Sequence, residues 1–250
     1  MLLAVNIGNS NMRFGVFKSD DEIISWYINT KPYRTEDECY AKFNSMYGPF
    51  GLKKEDITEI VIGSVVPPLT NNVSNALYRI HGIEPQIVDR YTPSIVQHSS
   101  KQMGTDLYAN AVAAHALYPG KKIIIDFGTA LTFTGVDENG KILGVSIAPG
   151  IQTSLNCLVE GTAQLPEIEL KAPSKALGMD TESCMQSGMV FGFLGMVESM
   201  IDRINQEVGE KCFVVATGGM SYTFAPLTDK IDKQDALHTI KGLKFLYKKD

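Results

Sequence analysis

Apolar positions in this chain come in short blocks at strand spacing, separated by turn residues. Residues 2–7, 12–17 and 22–28 predict three strands, with Asp20-Asp21 turning between the last two. Thr35-Glu36-Asp37-Glu38 has the form of a capping box and opens a helix with Tyr40, Phe43 and Met46/Tyr47 on one face, stopped by Gly48-Pro49. Ile60-Val61-Ile62-Gly63-Ser64 is apolar without alternation, as in a central strand covered on both faces. Leu69, Val73, Leu77 and Ile80 space a helix ended by Gly82, and Gln86-Ile87-Val88 is a short strand. Residues 90–103 are irregular and polar, a length that suits a functional loop. A helix then runs from Leu107 to Tyr118.

The scheme starts again after Pro119-Gly120. Lys122–Asp126, Leu131–Val136 and Lys141–Ile147 are strands, with Asn139-Gly140 as a hairpin turn. Ala148-Pro149-Gly150 leads into a helix through about Glu160, and residues 162–178 read as a loop. A long helix covers roughly Thr181 to Glu207. Gly188, Gly192 and Gly195 on it form a small-residue stripe that would let another backbone come close. Cys212–Ala216 is a buried strand entering Thr217-Gly218-Gly219, and a final helix carries Leu237, Ile240 and Leu243.

The second start is a repeat. Val5–Val16 aligns without a gap on Ile125–Val136 at an offset of 120, matching Gly8 with Gly128, Gly15 with Gly135, Val16 with Val136, and Asn6 with Asp126. Each copy reads as strand, glycine turn, strand, a form whose turn can offer backbone N–H groups to an anion. Three strands followed by helix–strand alternation, performed twice, describe a duplicated actin-like (ribonuclease-H-like) α/β fold. The two lobes are expected at residues 1–118 and 119–250, with a nucleotide in the cleft between them.

The totals narrow the function classes. The chain has 250 residues, 44% of them hydrophobic and 20% charged, with a net charge of -5. That balance argues against a general nucleic-acid or anionic-membrane binder. No apolar run approaches the roughly 18 residues of a membrane span, and no signal peptide is apparent. Cys39, Cys157, Cys184 and Cys212 lack metal or redox spacing and read as reduced, mostly buried cysteines of a cytoplasmic protein. His81 and His98 read as surface residues, and no histidine shows ligand spacing. Asp126 at a strand end beside a glycine turn suits a cation or turn hydrogen bonds. Asp106 serves equally as an N-cap or as a base taking a proton from an attacking alcohol.

Together, Asn6–Asn11, Ile62–Pro68, Gly104-Thr105-Asp106, Asp126–Ala130, Ala148-Pro149-Gly150, Met185–Gly188 and Ala216–Gly219 resemble the type III pantothenate kinases over nearly the whole chain. The resemblance implies phosphoryl transfer from ATP to pantothenate in coenzyme A synthesis, a homodimer, Mg²⁺, and a monovalent cation, K⁺ or NH₄⁺. It implies ATP contacts from Asn6, Gly8, Asn9, Ser10, Asn11, Arg13 and Thr129, beside the reading of Thr217-Gly218-Gly219 after a buried strand as a loop whose backbone can lie against a flat ligand such as adenine. It implies Asp126 on the monovalent cation, Asp106 as base, and Gly104, Thr105, Asp106, Leu107 and Thr181 beside pantothenate.

Three positions depart from that pattern. Asn6 stands where the family usually has Asp, Leu107 where it has Arg, and about Gln97 where it has Tyr. Leucine cannot supply the charge-assisted pair an arginine would give a substrate carboxylate. Two further readings therefore accompany the kinase: a non-catalytic paralog acting as a nucleotide-binding or regulatory protein, and a kinase for a neutral alcohol.

Overall fold

The computed structural model describes residues 1–248. In chain order the elements are β1 (Leu2–Ile7), β2 (Asn11–Phe17), β3 (Ile23–Asn29), α1 (Glu36–Asn44), β4 (Glu59–Ser64), α2 (Pro67–His81), β5 (Gln86–Val88) and α3 (Thr105–Leu117). There follow β6 (Lys122–Phe127), β7 (Ala130–Val136), β8 (Ile142–Pro149), α4 (Ile151–Glu160), α5 (Thr181–Val208), β9 (Phe213–Thr217), α6 (Ser221–Phe224), β10 (Lys233–Gln234) and α7 (His238–Leu246). The chain divides into two compact units, one of Met1–Ala116 with the residues from Leu237 onward, the other of Leu117–Ala236.

In the first unit the strand order is β3-β2-β1-β4-β5. β1 is antiparallel to β2 and parallel to β4, so the C-terminal ends of β1 and β4 lie side by side. One sheet face carries Leu3, Val5 and Ile7 into a core with Phe43 of α1 and Leu69, Val73 and Leu77 of α2. Phe14 stacks on Trp26 at 5.5 Å and meets Phe43 edge-on at 5.0 Å. The capping box at Thr35 and Glu38 forms as the sequence predicts.

The other face is covered by α7, which a division at residue 118 groups with the second lobe. Small residues make the contact. A Cβ at Gly15 would collide with Ile240, and one at Gly63 would lie 2.5 Å from Leu243 Cδ2. His238 at the start of α7 is fully buried, with Nε2 3.1 Å from the Asn110 carbonyl of α3. The periodicity of α7 shows an apolar face but does not say which sheet that face meets.

The second unit repeats the order as β10-β9-β6-β7-β8, with β6 antiparallel to β7 and parallel to β9. Ile123, Ile125 and Phe127 enter a core with Leu155 of α4, Val190, Val197 and Ile201 of α5 and Phe224 of α6. Helix α5 is long and apolar enough in composition to cross a membrane, contrary to the expectation that no segment is. Its buried side chains instead pack into this core, while Glu182, Glu198, Asp202 and Arg203 stand elsewhere along it. Of the cysteines, Cys39 and Cys212 are buried and Cys157 and Cys184 are exposed, so only half are core residues. The architecture is the expected duplicated α/β scheme.

The repeat is exact in β1 and β6 but slips after the turn. Ile7 pairs with Met12, enclosing residues 8–11, whereas Phe127 pairs with Leu131, enclosing residues 128–130. The first turn is one residue longer. Arg13 therefore faces Asn6 where Thr132 faces Asp126, and Gly15 is the counterpart of Thr134. The ungapped matches of Gly15 with Gly135 and Val16 with Val136 are coincidences of sequence. A one-residue slip moves a strand residue to the opposite face.

Candidate active site

In open α/β sheets, ligands are held beyond the carboxyl ends of the parallel strands. In the first unit those ends belong to β1, β4 and β5. Tyr27, Arg13, Asn6 and Gly63 form one cross-strand row there. The Arg13 guanidinium lies 5.7 Å from the Tyr27 ring centroid. Asn6 Oδ1 is buried and has no hydrogen-bond partner.

The turn after β1 is tied down from within. Gly8 N–H donates to the Asn11 carbonyl at 3.0 Å, Thr30 N–H to the Ser10 carbonyl at 2.9 Å, and the Thr30 hydroxyl to the Gly8 carbonyl at 2.6 Å. A Cβ at Gly8 would lie 3.0 Å from that Asn11 oxygen. With its carbonyls engaged inward, the turn exposes the side chains of Asn9, Ser10 and Asn11. Thr30 is fully buried and holds this turn from 20 residues away in the chain, which no local sequence signal announces.

Asp106 lies in the same unit, one residue inside the start of α3. It is not the N-cap. The Tyr108 N–H already donates to the Gly104 carbonyl, which places Gly104 at the helix entry. The half-buried Asp106 carboxylate accepts the Leu107 N–H at 2.8 Å, one of the first-turn donors that no helix carbonyl can satisfy. Its Oδ1 lies against Gly104, where a Cβ would sit 2.6 Å away. Burial holds the carboxyl above its ordinary value, against the opposing pull of backbone N–H groups. Thr105 is buried, its methyl packed towards Gly63, while Leu107 is half-buried.

In the second unit the residues gather around the end of β6. Asp126 pairs with Thr217 of β9 on one side and Thr132 of β7 on the other. Gly218 has φ 86°, and a Cβ there would lie 2.5 Å from Asp126 Oδ1 and 2.6 Å from the Phe127 carbonyl carbon. Gly150, the residue before α4, lies against the turn, where a Cβ would sit 2.7 Å from the Thr129 carbonyl carbon. The Thr129 carbonyl accepts from Gly150 N–H at 3.1 Å and from the Thr153 hydroxyl at 2.8 Å. Asp126, Gly128, Thr129, Gly150 and Gly218 thus form one close-packed end. Thr129 and Gly219 stay exposed. Thr181 is exposed at the first position of α5, behind an Asp180–Ser183 capping box. Thr132 Oγ1 is buried without a hydrogen-bond partner.

The described residues contain no cluster of three or more His, Cys, Asp or Glu side chains that could hold a metal ion. The donor set fits a cation that takes one or two protein oxygens and completes its shell with water and phosphate, as Mg²⁺ does. In the first unit Asn6 Oδ1, buried and without a hydrogen-bond partner, is an oxygen of that kind. His81 is partly buried between the Tyr47 hydroxyl and the Lys54 carbonyl, at 2.7 and 2.9 Å, and His98 is half-buried. Both are structural rather than surface residues, because each ring bonds a carbonyl of its own unit.

The sequence profile of the type III pantothenate kinase family matches residues 2–203. A type III pantothenate kinase of Finegoldia magna is 40% identical over 98% of this chain and 96% of its own length. The type III pantothenate kinase of Moorella thermoacetica is 35% identical, covering both chains completely. Among solved structures, a Campylobacter jejuni protein assigned to the Baf family of transcriptional activators superposes with a TM-score of 0.60 at 18% identity, over 98% of this chain and 96% of that one. A Sinorhizobium meliloti protein assigned as a 2-dehydro-3-deoxygalactonokinase gives 0.60 at 14% identity, over 98% and 95%. At such identities the structural likeness concerns the fold alone.

Proposed function

Because the chain belongs to the type III pantothenate kinase family, we propose that it transfers the γ-phosphoryl group of ATP to the primary hydroxyl of pantothenate, the first step of coenzyme A synthesis. The observation that carries the mechanism is the half-buried Asp106 carboxyl, held by the Leu107 N–H against Gly104. Asp106 takes the hydroxyl proton as the oxygen attacks the γ-phosphorus and the bond to the ADP oxygen breaks. A base whose affinity for protons is raised by burial accepts that proton more readily than an exposed carboxylate.

The turn at residues 6–13 and Thr129 would contact the phosphates, and Gly218 and Gly219 the flat base. Mg²⁺, when bound, would neutralise phosphate charge, and Asn6 would reach it; its buried, unpartnered amide oxygen supports that reading. Asp126 would hold the monovalent cation, K⁺ or NH₄⁺. Gly104, Thr105, Leu107 and Thr181 would line the pantothenate. Gly188, Gly192 and Gly195, with open space beside each Cα, would let two copies of α5 approach in a homodimer. The protein would act as a soluble cytoplasmic enzyme.

The test is ADP release by the purified protein with ATP, Mg²⁺ and K⁺, with and without pantothenate. Turnover stimulated by pantothenate and lost in Asp106→Asn supports the proposal. Asn6 and Leu107 favour a second reading, a nucleotide-binding regulator without kinase activity. Absence of turnover, with activity gained in Asn6→Asp plus Leu107→Arg, would support that one instead.

A further inference from the structure

The segment between β5 and α3 contains two buried nitrogens without hydrogen-bond partners, Nε of Arg90 and Nδ1 of His98. One bond joins the two residues: His98 Nε2 lies 2.7 Å from the Arg90 carbonyl. A carbonyl only accepts, so the proton of that bond sits on Nε2. The His98 ring stands edge-on to Tyr108 at 5.1 Å. The Tyr108 hydroxyl in turn donates to the Thr92 carbonyl at 2.8 Å and lies 2.7 Å from Ser94 Oγ. The loop around Arg90 is therefore braced against α3.

The Arg90 guanidinium has a defined place. One Nη1 N–H donates to the Met103 carbonyl at 3.2 Å, and the group lies 4.9 Å from the Tyr91 ring centroid. Met103 immediately precedes Gly104-Thr105-Asp106, so the cation is pinned to the entry of the helix that carries the base. The neighbouring Asp89 carboxylate is turned to its own loop, accepting from Tyr91 N–H at 2.8 Å and Thr92 N–H at 3.1 Å. A guanidinium offers five N–H donors, and a buried one without an acceptor is costly. Its fork matches a carboxylate taken side by side on two N–H groups.

Resting on the reading of pantothenate as acceptor, we propose that Arg90 binds the acceptor's carboxylate and so sets the preference for an acidic alcohol over a neutral one. Leu107, beside the base, supplies no charge for that purpose.

Steady-state kinetics on pantothenate and on pantothenol, in which a neutral hydroxymethyl replaces the carboxylate, tests this directly. The wild type should prefer pantothenate. Arg90→Gln should raise KM for pantothenate about 10- to 100-fold while leaving kcat, KM for ATP and KM for pantothenol unchanged. Arg90→Lys should recover part of the loss. Calorimetry in the Asp106→Asn background should show the same loss of pantothenate affinity on Arg90→Gln without turnover. Equal effects on both acceptors, no effect on either, or a wild type indifferent to the carboxylate would overturn the role of Arg90 alone. A wild type that phosphorylates neither acceptor would overturn the kinase reading and this inference with it.

Discussion

The backbone of Gly218 lies directly against the carboxylate of Asp126. A Cβ at Gly218 would sit 2.5 Å from Asp126 Oδ1, and the residue holds φ 86°. Both the conformation and the space demand glycine. Gly218→Ala should therefore destabilise the protein by about 1–3 kcal/mol and displace Asp126. Gly219→Ala is the matched control, because nothing lies within 4 Å of its Cβ position. It should change stability by less than about 0.5 kcal/mol. Denaturant unfolding of both variants, with a thermal-shift titration of K⁺ against Na⁺, separates the effects. Loss of K⁺-specific stabilisation in Gly218→Ala alone is the expected result.

Asp106 sets function against stability. Its carboxyl is held above the ordinary value of 3.8 by burial. The folded state thus binds the proton more tightly than the unfolded chain, and stability falls as pH rises from that ordinary value through the folded one. At neutral pH the ionised carboxylate is a net cost. Asp106→Asn should accordingly raise Tm at pH 7, with the gain vanishing below the ordinary carboxyl value. The same substitution should lower kcat by about 10²- to 10⁴-fold. In the wild type, kcat/KM should fall on the acid side through a limb displaced upward from 3.8. An unchanged Tm would mean that burial of the charge is not what the carboxyl feels.

How much of this was legible in sequence depends on the distance over which each feature is determined. The strands of both sheets apart from the two-residue edge strand β10, and the capping box at Thr35, follow from alternation and local chemistry, and the structure has them near where the sequence predicts. The glycine turns at 8–11 and 128–130 also announce themselves. The pairing register does not, because one extra residue in the first turn leaves the sequence match intact while moving Gly15 away from Gly135 in the sheet. Thr30, Arg90 and the buried His238 were missed for a related reason. Their partners, the Gly8 carbonyl, the Met103 carbonyl and the Asn110 carbonyl, are backbone atoms distant in the chain, and no residue pattern encodes them.

Asn6 presents a buried amide oxygen without a partner, directly across from Arg13 in the sheet. A neutral oxygen can ligate hydrated Mg²⁺ but contributes no charge to holding it. Asn6→Asp places a carboxylate at the same strand position, with Arg13 facing it on β2. The variant should reach half-maximal activity at lower Mg²⁺ than the wild type, with KM for pantothenate unchanged because the turn and the acceptor residues are left intact. Magnesium titrations at saturating ATP measure this. An unaltered magnesium requirement would remove Asn6 from the cation's surroundings.

The closing helix makes the strongest claim about stability. Gly242 of α7 packs on α3 so closely that a Cβ would lie 2.5 Å from the Ala109 carbonyl carbon, with the Ala109 oxygen nearer still. Those atoms are helix backbone and cannot swing aside as a flexible side chain would. Gly242→Ala must push α7 away from α3, straining the contacts the same helix makes through Ile240 at Gly15 and Leu243 at Gly63. Overpacking of this kind costs about 1–3 kcal/mol, more than the few tenths to one that alanine gains over glycine inside a helix. The net effect should be destabilising. Because Gly63 also lies against Thr105, the residue before Asp106, activity should fall at temperatures below the unfolding midpoint. Denaturant melts paired with activity measured at low temperature test both parts. A variant as stable as the wild type would show that the packing of α7 on α3 is not tight at this position.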